Sequence, residues 1–206
     1  MRTPSPKQRV FIEAGRKEFV RNGYGAASIR AIAQEAGVSL SALYYHYKSK
    51  QDLLLAILLD GVDAYDAVCD AELAGAGDDP LEQLRAFVRG NVVFRTKFPE
   101  HGRMVATEVR NLEPEGARLY EQRRRVGKGR IRDIIERGVE QGVFTTRHPD
   151  DCRRAILAMT SAIANWYDPD GPDGPDEIAD RYAQMALALL CPNETIDRPR
   201  GTEGSS

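Results

Sequence analysis

Apolar residues recur along this chain at three- and four-residue intervals, and no stretch alternates with period two over the length of a strand. The pattern predicts an all-α protein of about nine helices. The first runs from about Pro6 to Asn22, with Val10, Ile12, Ala14, Phe19 and Val20 as its apolar side and Gly23 as its stop. Ser28 opens a second, carrying Ile29, Ile32, Ala33 and Ala36 as far as Gly37, and Ser39 opens a short third. From Ser49 a longer helix buries Leu53, Leu54, Ile57, Leu58 and Val62, and the Gly/Asp stretch from Gly75 to Pro80 reads as a connection. Leu81 to Phe98 follows, with Leu84, Phe87, Val88, Val92 and Phe94 inward and Pro99 as terminator. Then come a short helix over Arg103 to Leu112 and a long one from Glu115 to about Gln141, with Leu119, Val126, Ile131, Ile134, Ile135 and Val139 as apolar positions. Asp150 to Tyr167 and Pro175 to Leu190 complete the set, separated by a segment rich in Pro, Gly and Asp. The polar residues Pro192 to Ser206 are expected to be a disordered tail.

Charge changes this picture more than composition does. The formal net charge is only -2, but residues 1–50 carry nine Lys or Arg against three acids, and the rest carries twenty against twenty-eight. A basic head on an acidic body suits a protein whose one end approaches a polyanion. No run approaches the roughly 20 apolar residues of a membrane span, and Met1 to Val10 is polar, so a cytoplasmic location without membrane contact is expected. Cys69, Cys152 and Cys191 are far apart and lie inside apolar helical patterns, as packing residues do. With His46, His101 and His148 scattered among them, no metal site and no cofactor are expected.

The informative segment is Ser28 to Lys50, SIRAIAQEAGVSLSALYYHYKSK. Two short capped helices around Gly37, which can take the left-handed conformation a sharp reversal needs, fit a helix-turn-helix. Small Ala33 and Ala36 let the pair pack closely, and Ile32, Val38 and Leu43 form its shared core. That leaves Leu40, Ser41, Ala42, Tyr44, Tyr45 and His46 to face outward or meet the rim of a major groove, the phenol and imidazole groups suiting phosphate oxygens together with Lys48 and Lys50. Clustered tyrosines taken alone would read as core. Order decides against that here: cap, short helix, Gly turn, cap, short helix and lysines occur in sequence within one basic segment.

Residues Arg9 to Leu55 resemble the DNA-binding domain of the tetracycline-repressor-like (TetR) regulators. The matching elements are Gly23-Tyr24, Ser28, Ile32-Ala33, Ala36 to Ser39, Leu43 to Tyr47 and Lys48 to Lys50, with Ala27 and Tyr47 as departures from the frequent Thr and Phe. The resemblance implies that Ser28, Tyr45, His46 and Lys50 hold phosphates while Leu40, Ser41, Ala42 and Tyr44 line the groove; Ser39, which caps the recognition helix, and Lys48 complete the candidate DNA-binding set. It also implies a head over 1–50, a ligand-binding and dimerisation body over 51–191, a homodimer on a palindromic operator, and repression relieved by a small, largely apolar effector.

Candidate cavity residues are Phe87, Phe94, Phe98, Met104, Val105, Tyr120, Arg124 and Trp166, each with plain core as the alternative. Ile156, Met159, Ile163 and Trp166, with Tyr182, Met185, Ala186 and Leu189, are candidates for a four-helix interface across a two-fold axis, or else for internal core. The run Arg123, Arg124, Arg125, Lys128, Arg130 and Arg132 reads as a solvated face with pairs such as Glu121 to Arg125 and Asp133 to Arg137, or as a phosphate clamp. The clamp, with Asn165 to Pro169, resembles the TetR branch that senses acyl-CoA thioesters. Gly127, Gly129 and Gly138 inside one helix imply close helix approach or room for a ligand. A helical-bundle enzyme or interaction protein without DNA binding is the rival reading. No P-loop, HExxH, GxSxG or paired Glu-x-x-His motif supports catalysis.

Overall fold

A computed structural model describes residues 4–191; the expected tail, Pro192 to Ser206, lies outside them. Among the described residues there are nine α-helices and no strand: α1 (Pro6–Ala26), α2 (Ile29–Glu35), α3 (Leu40–His46), α4 (Lys50–Leu73), α5 (Pro80–Lys97), α6 (Pro99–Glu108), α7 (Pro114–Glu140), α8 (Pro149–Trp166) and α9 (Pro175–Leu190). A 3-10 turn, Val109–Asn111, extends α6. Side-chain caps explain many of the starts. Ser5 makes a capping box with Gln8, and Ser28, Ser39, Ser49 and Asp79 each accept a hydrogen bond from a backbone N–H of the first turn. Gly23, at φ 72°, breaks α1 where its sequence predicts a stop.

Two apolar clusters hold the molecule together. One joins the head to the first half of α4: Phe11, Ile12, Phe19, Ile32, Leu43 and Leu53 to Val62 pack with Met104 and Tyr120. The other fills the body with residues of α5, α7, α8 and α9. Helix α4 supplies Leu53 to Val62 to the first cluster and the partly buried Leu73 to the edge of the second.

Several expectations about which face is buried are corrected. Ile12, Ala14 and Phe19 are buried as expected, but Val10 and Val20 are exposed and Phe11 and Gly15 join the buried side, so that Phe11, Gly15 and Phe19 form a four-residue repeat. On α7, Leu119, Val126 and Val139 face outward while Ile131, Ile134 and Ile135 are buried. Pro99 does not merely end α5. It occupies the first turn of α6, where its missing N–H has no intrahelical partner to lose, so that helix starts earlier than its apolar pattern implies. Ile156, Ile163 and Ala186, offered as interface residues, are fully buried within the chain, whereas Trp166, Met185 and Leu189 are exposed. Trp166 stacks on Tyr182, centroids 6.3 Å apart, across the α8/α9 face.

The glycines of α7 divide. A Cβ on Gly127 would come within 2.7 Å of Asp66 Oδ1, and one on Gly138 would overlap the Phe144 ring. Both mark close approaches. A Cβ on Gly129 would meet only the end of the Arg132 side chain at 3.9 Å, and nothing in its surroundings explains it.

Candidate nucleic-acid interface and adjoining cavity

The turn between α2 and α3 is built by hydrogen bonds as well as by glycine. Gly37 sits at φ 66°, its N–H donates to Gln34 O at 3.0 Å, and Val38 N–H donates to Ala33 O at 3.0 Å. This is a Schellman closure, which ends α2 and turns the chain at once into the cap of α3. Ser39 Oγ accepts from Ala42 N at 3.2 Å and lies 3.0 Å from Ser41 Oγ, so the first turn of α3 presents two hydroxyls side by side. Leu43 and Tyr47 anchor α3 and its C-cap in the head core. Held from beneath in this way, α3 turns Ser41, Tyr44 and Tyr45 outward, Tyr45 being 85% exposed.

Most of the predicted DNA-facing residues are at least partly exposed on α3 and its flanks. Ser28 caps α2 from an exposed position, and Lys48 is exposed just beyond α3. Leu40 and Ala42 are half-buried, and His46 is half-buried because its ring packs on Phe11, centroids 5.4 Å apart. Lys50 is a correction. Its ammonium donates to the carbonyls of Tyr24 at 2.7 Å, Ala27 at 2.9 Å and Gly25 at 3.4 Å, and lies 4.3 Å from the centre of the Tyr24 ring. Carbonyls at the end of a helix carry partial negative charge, so this lysine is held in the head as a C-terminal cap of α1 instead of reaching outward.

Behind the head, α4, α5, α6, α7 and α8 enclose a cavity of about 140 Å³. Ile57, Leu58, Val62, Phe94, Met104 and Leu157 make it largely apolar. Of the predicted cavity residues, Phe94, Met104, Val105, Tyr120 and Arg124 line it. Three do not. Phe87 is sealed in the body core, Phe98 faces a groove on the other side of α6, and Trp166 stands at the surface on Tyr182. The groove beside Phe98 is larger, about 890 Å³, but its walls carry Arg9, Glu13, Lys17, Glu35, Asp60 and Asp63, a lining unsuited to an apolar ligand.

The polar lining residues Tyr65, Asp66, Arg95, His101 and Ser161 escaped the sequence reading. Burial lowers the pKa of Arg95 and raises that of Tyr65, which stays a phenol. His101 is 6% exposed, and burial first, then the nearby Arg16 charge, push its pKa down to about 4. The ring is therefore neutral near pH 7, and the 3.8 Å approach of Glu100 is not an ion pair. Neither ring nitrogen has a hydrogen-bond partner. Arg95 carried one readable signal: it follows Val88 by seven residues and Val92 by three, so it continues the buried stripe of α5.

The basic run of α7 is neither a solvated face nor a clamp of uniform kind. Arg123 reaches Asp63 at 2.8 Å and Asp66 at 2.6 Å, and Arg130 reaches Asp66 at 2.8 Å and Asp70 at 2.7 Å, tying α7 to α4. Arg124 and Lys128 line the cavity, with Glu121 at 3.7 and 3.2 Å from them; the expected Glu121 to Arg125 pair is replaced by these two. Arg137 donates to the backbone carbonyl of Asp133, not its carboxylate. Among the described residues no group of three His, Cys, Asp or Glu could hold a metal, and no helix is long and apolar enough to cross a membrane.

A capped helix-turn-helix presented by an all-helical body defines a DNA-binding transcription regulator, not an enzyme. Two family models agree with that class: Bacterial regulatory proteins, tetR family, over residues 11–57, and Tetracyclin repressor-like, C-terminal domain, over residues 77–190. The chain belongs to the TetR family. It is 25% identical over 197 residues, 89% of this chain and 90% of the relative, to the transcriptional repressor KstR2 of Mycolicibacterium smegmatis. Among solved structures it is similar to the TetR regulator PfmR of Thermus thermophilus, with TM-score 0.77, 32% identity and 88% and 98% of the two chains covered. It shares its fold with AibR, solved with isovaleryl coenzyme A and operator DNA, at TM-score 0.78 and 24% identity over 88% and 98% of the chains.

Proposed function

We propose that this chain is a cytoplasmic repressor that holds a palindromic operator as a homodimer and releases it when an acyl-CoA thioester enters the cavity behind α4. The observation that carries this reading is the cavity itself: an apolar interior whose rim holds the partly exposed cations Arg124 and Lys128. An acyl chain suits the interior, and the phosphates of coenzyme A suit the rim. At about 140 Å³ the cavity is below the roughly 300 Å³ at which sites for whole drug-sized ligands begin, so the acyl end enters and the nucleotide stays outside. AibR, with the same fold, was solved with such a thioester and with DNA, and KstR2 is a repressor.

The head then has to respond. Ile57, Leu58 and Val62 line the cavity and also belong to the core shared with α1, α2 and α3. A ligand that wedges α4 from α7 therefore changes the angle at which α3 is held. In a dimer this alters the separation of two recognition helices that must match a half-site spacing of about one DNA turn. Trp166, Met185 and Leu189 offer the exposed apolar area for that dimer on α8 and α9. The test is calorimetry with thioesters from butyryl- to palmitoyl-CoA, followed by operator release in a gel shift. Binding coupled to release supports the reading; heat of binding absent across the whole series overturns it.

A further inference from the structure

Arg95 has a cation inside the cavity and nothing to neutralise it. Its guanidinium lies 5.3 Å from the Phe94 ring centre and 5.8 Å from that of Tyr65, and its buried Nε has no hydrogen-bond partner. Among the described residues no carboxylate pairs with it. The cavity's own acid, Asp66, has one oxygen on Arg123 and the other on Arg130. Glu121 is taken by Arg124 and Lys128. Two aromatic faces soften the charge without supplying acceptors. His101 lines the same cavity, both of its buried ring nitrogens lack a hydrogen-bond partner, and as a neutral ring it offers one donor and one acceptor. Arg95 is half-buried with its Nε sealed from water; a cation so placed without a counter-ion is destabilising, and a cavity that keeps one is suited to receive the counter-ion from outside.

We infer that the effector carries a carboxylate at its buried end: a short acyl group terminated by a second acid, read by Arg95 with His101 as the adjoining donor. A planar guanidinium selects a carboxylate over a hydrocarbon terminus by paired, charge-assisted hydrogen bonds. Length is limited by space. At roughly 30 Å³ per water-sized group the cavity of about 140 Å³ holds about five, so it admits the carboxylate end of a glutaryl chain and not a long fatty chain. The inference rests on the cavity being the effector site, but it does not require that the acid arrive as a thioester.

The experiment compares three probes by calorimetry on the full chain: glutaryl-CoA, valeryl-CoA and free glutarate. Wild type is expected to bind glutaryl-CoA at least tenfold more tightly than valeryl-CoA, and Arg95→Met to lose or reverse that preference. Methionine fills similar volume beside Phe94 and Tyr65, and because Arg95 is an orphaned charge the variant is expected to melt no lower than wild type. Equal affinity for the two thioesters in wild type overturns the inference, as does a preference that survives in Arg95→Met. The two readings fail separately. Tight valeryl-CoA with weak glutaryl-CoA sinks the carboxylate and spares the thioester. Glutarate bound by wild type and not by Arg95→Met, with neither thioester bound, spares the carboxylate and sinks the thioester. If Arg95→Met melts lower, Arg95→Lys, which keeps the charge without the fork, is expected to weaken glutaryl-CoA several-fold in a folded protein.

Discussion

Replacing Asp66 with asparagine should destabilise the fold far more than the same change at either flanking acid. Asp66 is 5% exposed and is the only carboxylate bonded to both Arg123 and Arg130 among the described residues. Removing one partner of a buried ion pair costs about 3–5 kcal/mol, because the remaining charge is stranded. Two features lower that figure here. Arg123 keeps Asp63 and Arg130 keeps Asp70, and the two arginine side chains stay 30% and 19% exposed, so water recovers part of the loss. About 2–3 kcal/mol remains, which for a chain of this size lowers Tm by about 4–12 °C. Asp63 and Asp70 are 43% and 60% exposed, and neutralising either should cost only about 0–1 kcal/mol. Urea unfolding followed by circular dichroism reads all three variants, and a double-mutant cycle with Arg130→Met isolates the pair. If Asp66→Asn unfolds no earlier than Asp70→Asn, the α4–α7 clamp is not the buried network described here.

Three further outcomes are expected. Gly138→Ala should lose about 1–2 kcal/mol in the same urea assay, since overpacking against the buried Phe144 ring outweighs the roughly 1 kcal/mol an alanine adds to a helix. His101 makes stability depend on pH. Its pKa falls from 6.5 unfolded to about 4 folded, so its contribution is complete above pH 6.5 and is lost as pH falls toward 4. The loss is about 1–2 kcal/mol by pH 5, and a slope unchanged in His101→Asn would contradict it. Lys48→Ala should weaken DNA binding evenly across sequences and reduce the slope of log affinity against log salt by about 1 per head; anisotropy titrations at several KCl concentrations check this, and an identical slope removes Lys48 from the phosphates.

How far the sequence could be read follows from the range of the forces involved. Gly37 and Ser39 were legible because a Schellman closure and an N-cap involve residues within five positions. The choice between adjacent Val10 and Phe11 was not, because the winner is whichever meets His46 and Tyr47 more than thirty residues away. Pro99 was read as a stop when it is also a start; both uses follow from its missing N–H, and only the angle between α5 and α6 separates them. Lys50 looked like a phosphate ligand since its partners, Tyr24, Gly25 and Ala27, lie 23 to 26 residues away. Arg95 and His101 were missed for a related reason. A polar residue on a buried stripe becomes chemically informative only when its lack of a partner is visible, and that is a property of the assembled cavity.

Selection of bound fragments from a random DNA pool at physiological salt puts the whole reading at risk in one step. The wild-type chain is expected to enrich an inverted repeat with half-site centres about one helical turn apart, bound at least about a thousandfold more tightly than unselected DNA. Ala42→Arg, which extends the first turn of α3 without touching the head core, should enrich a different repeat. No enriched sequence from the wild type, or one indifferent to Ala42, would mean that α3 does not enter the groove.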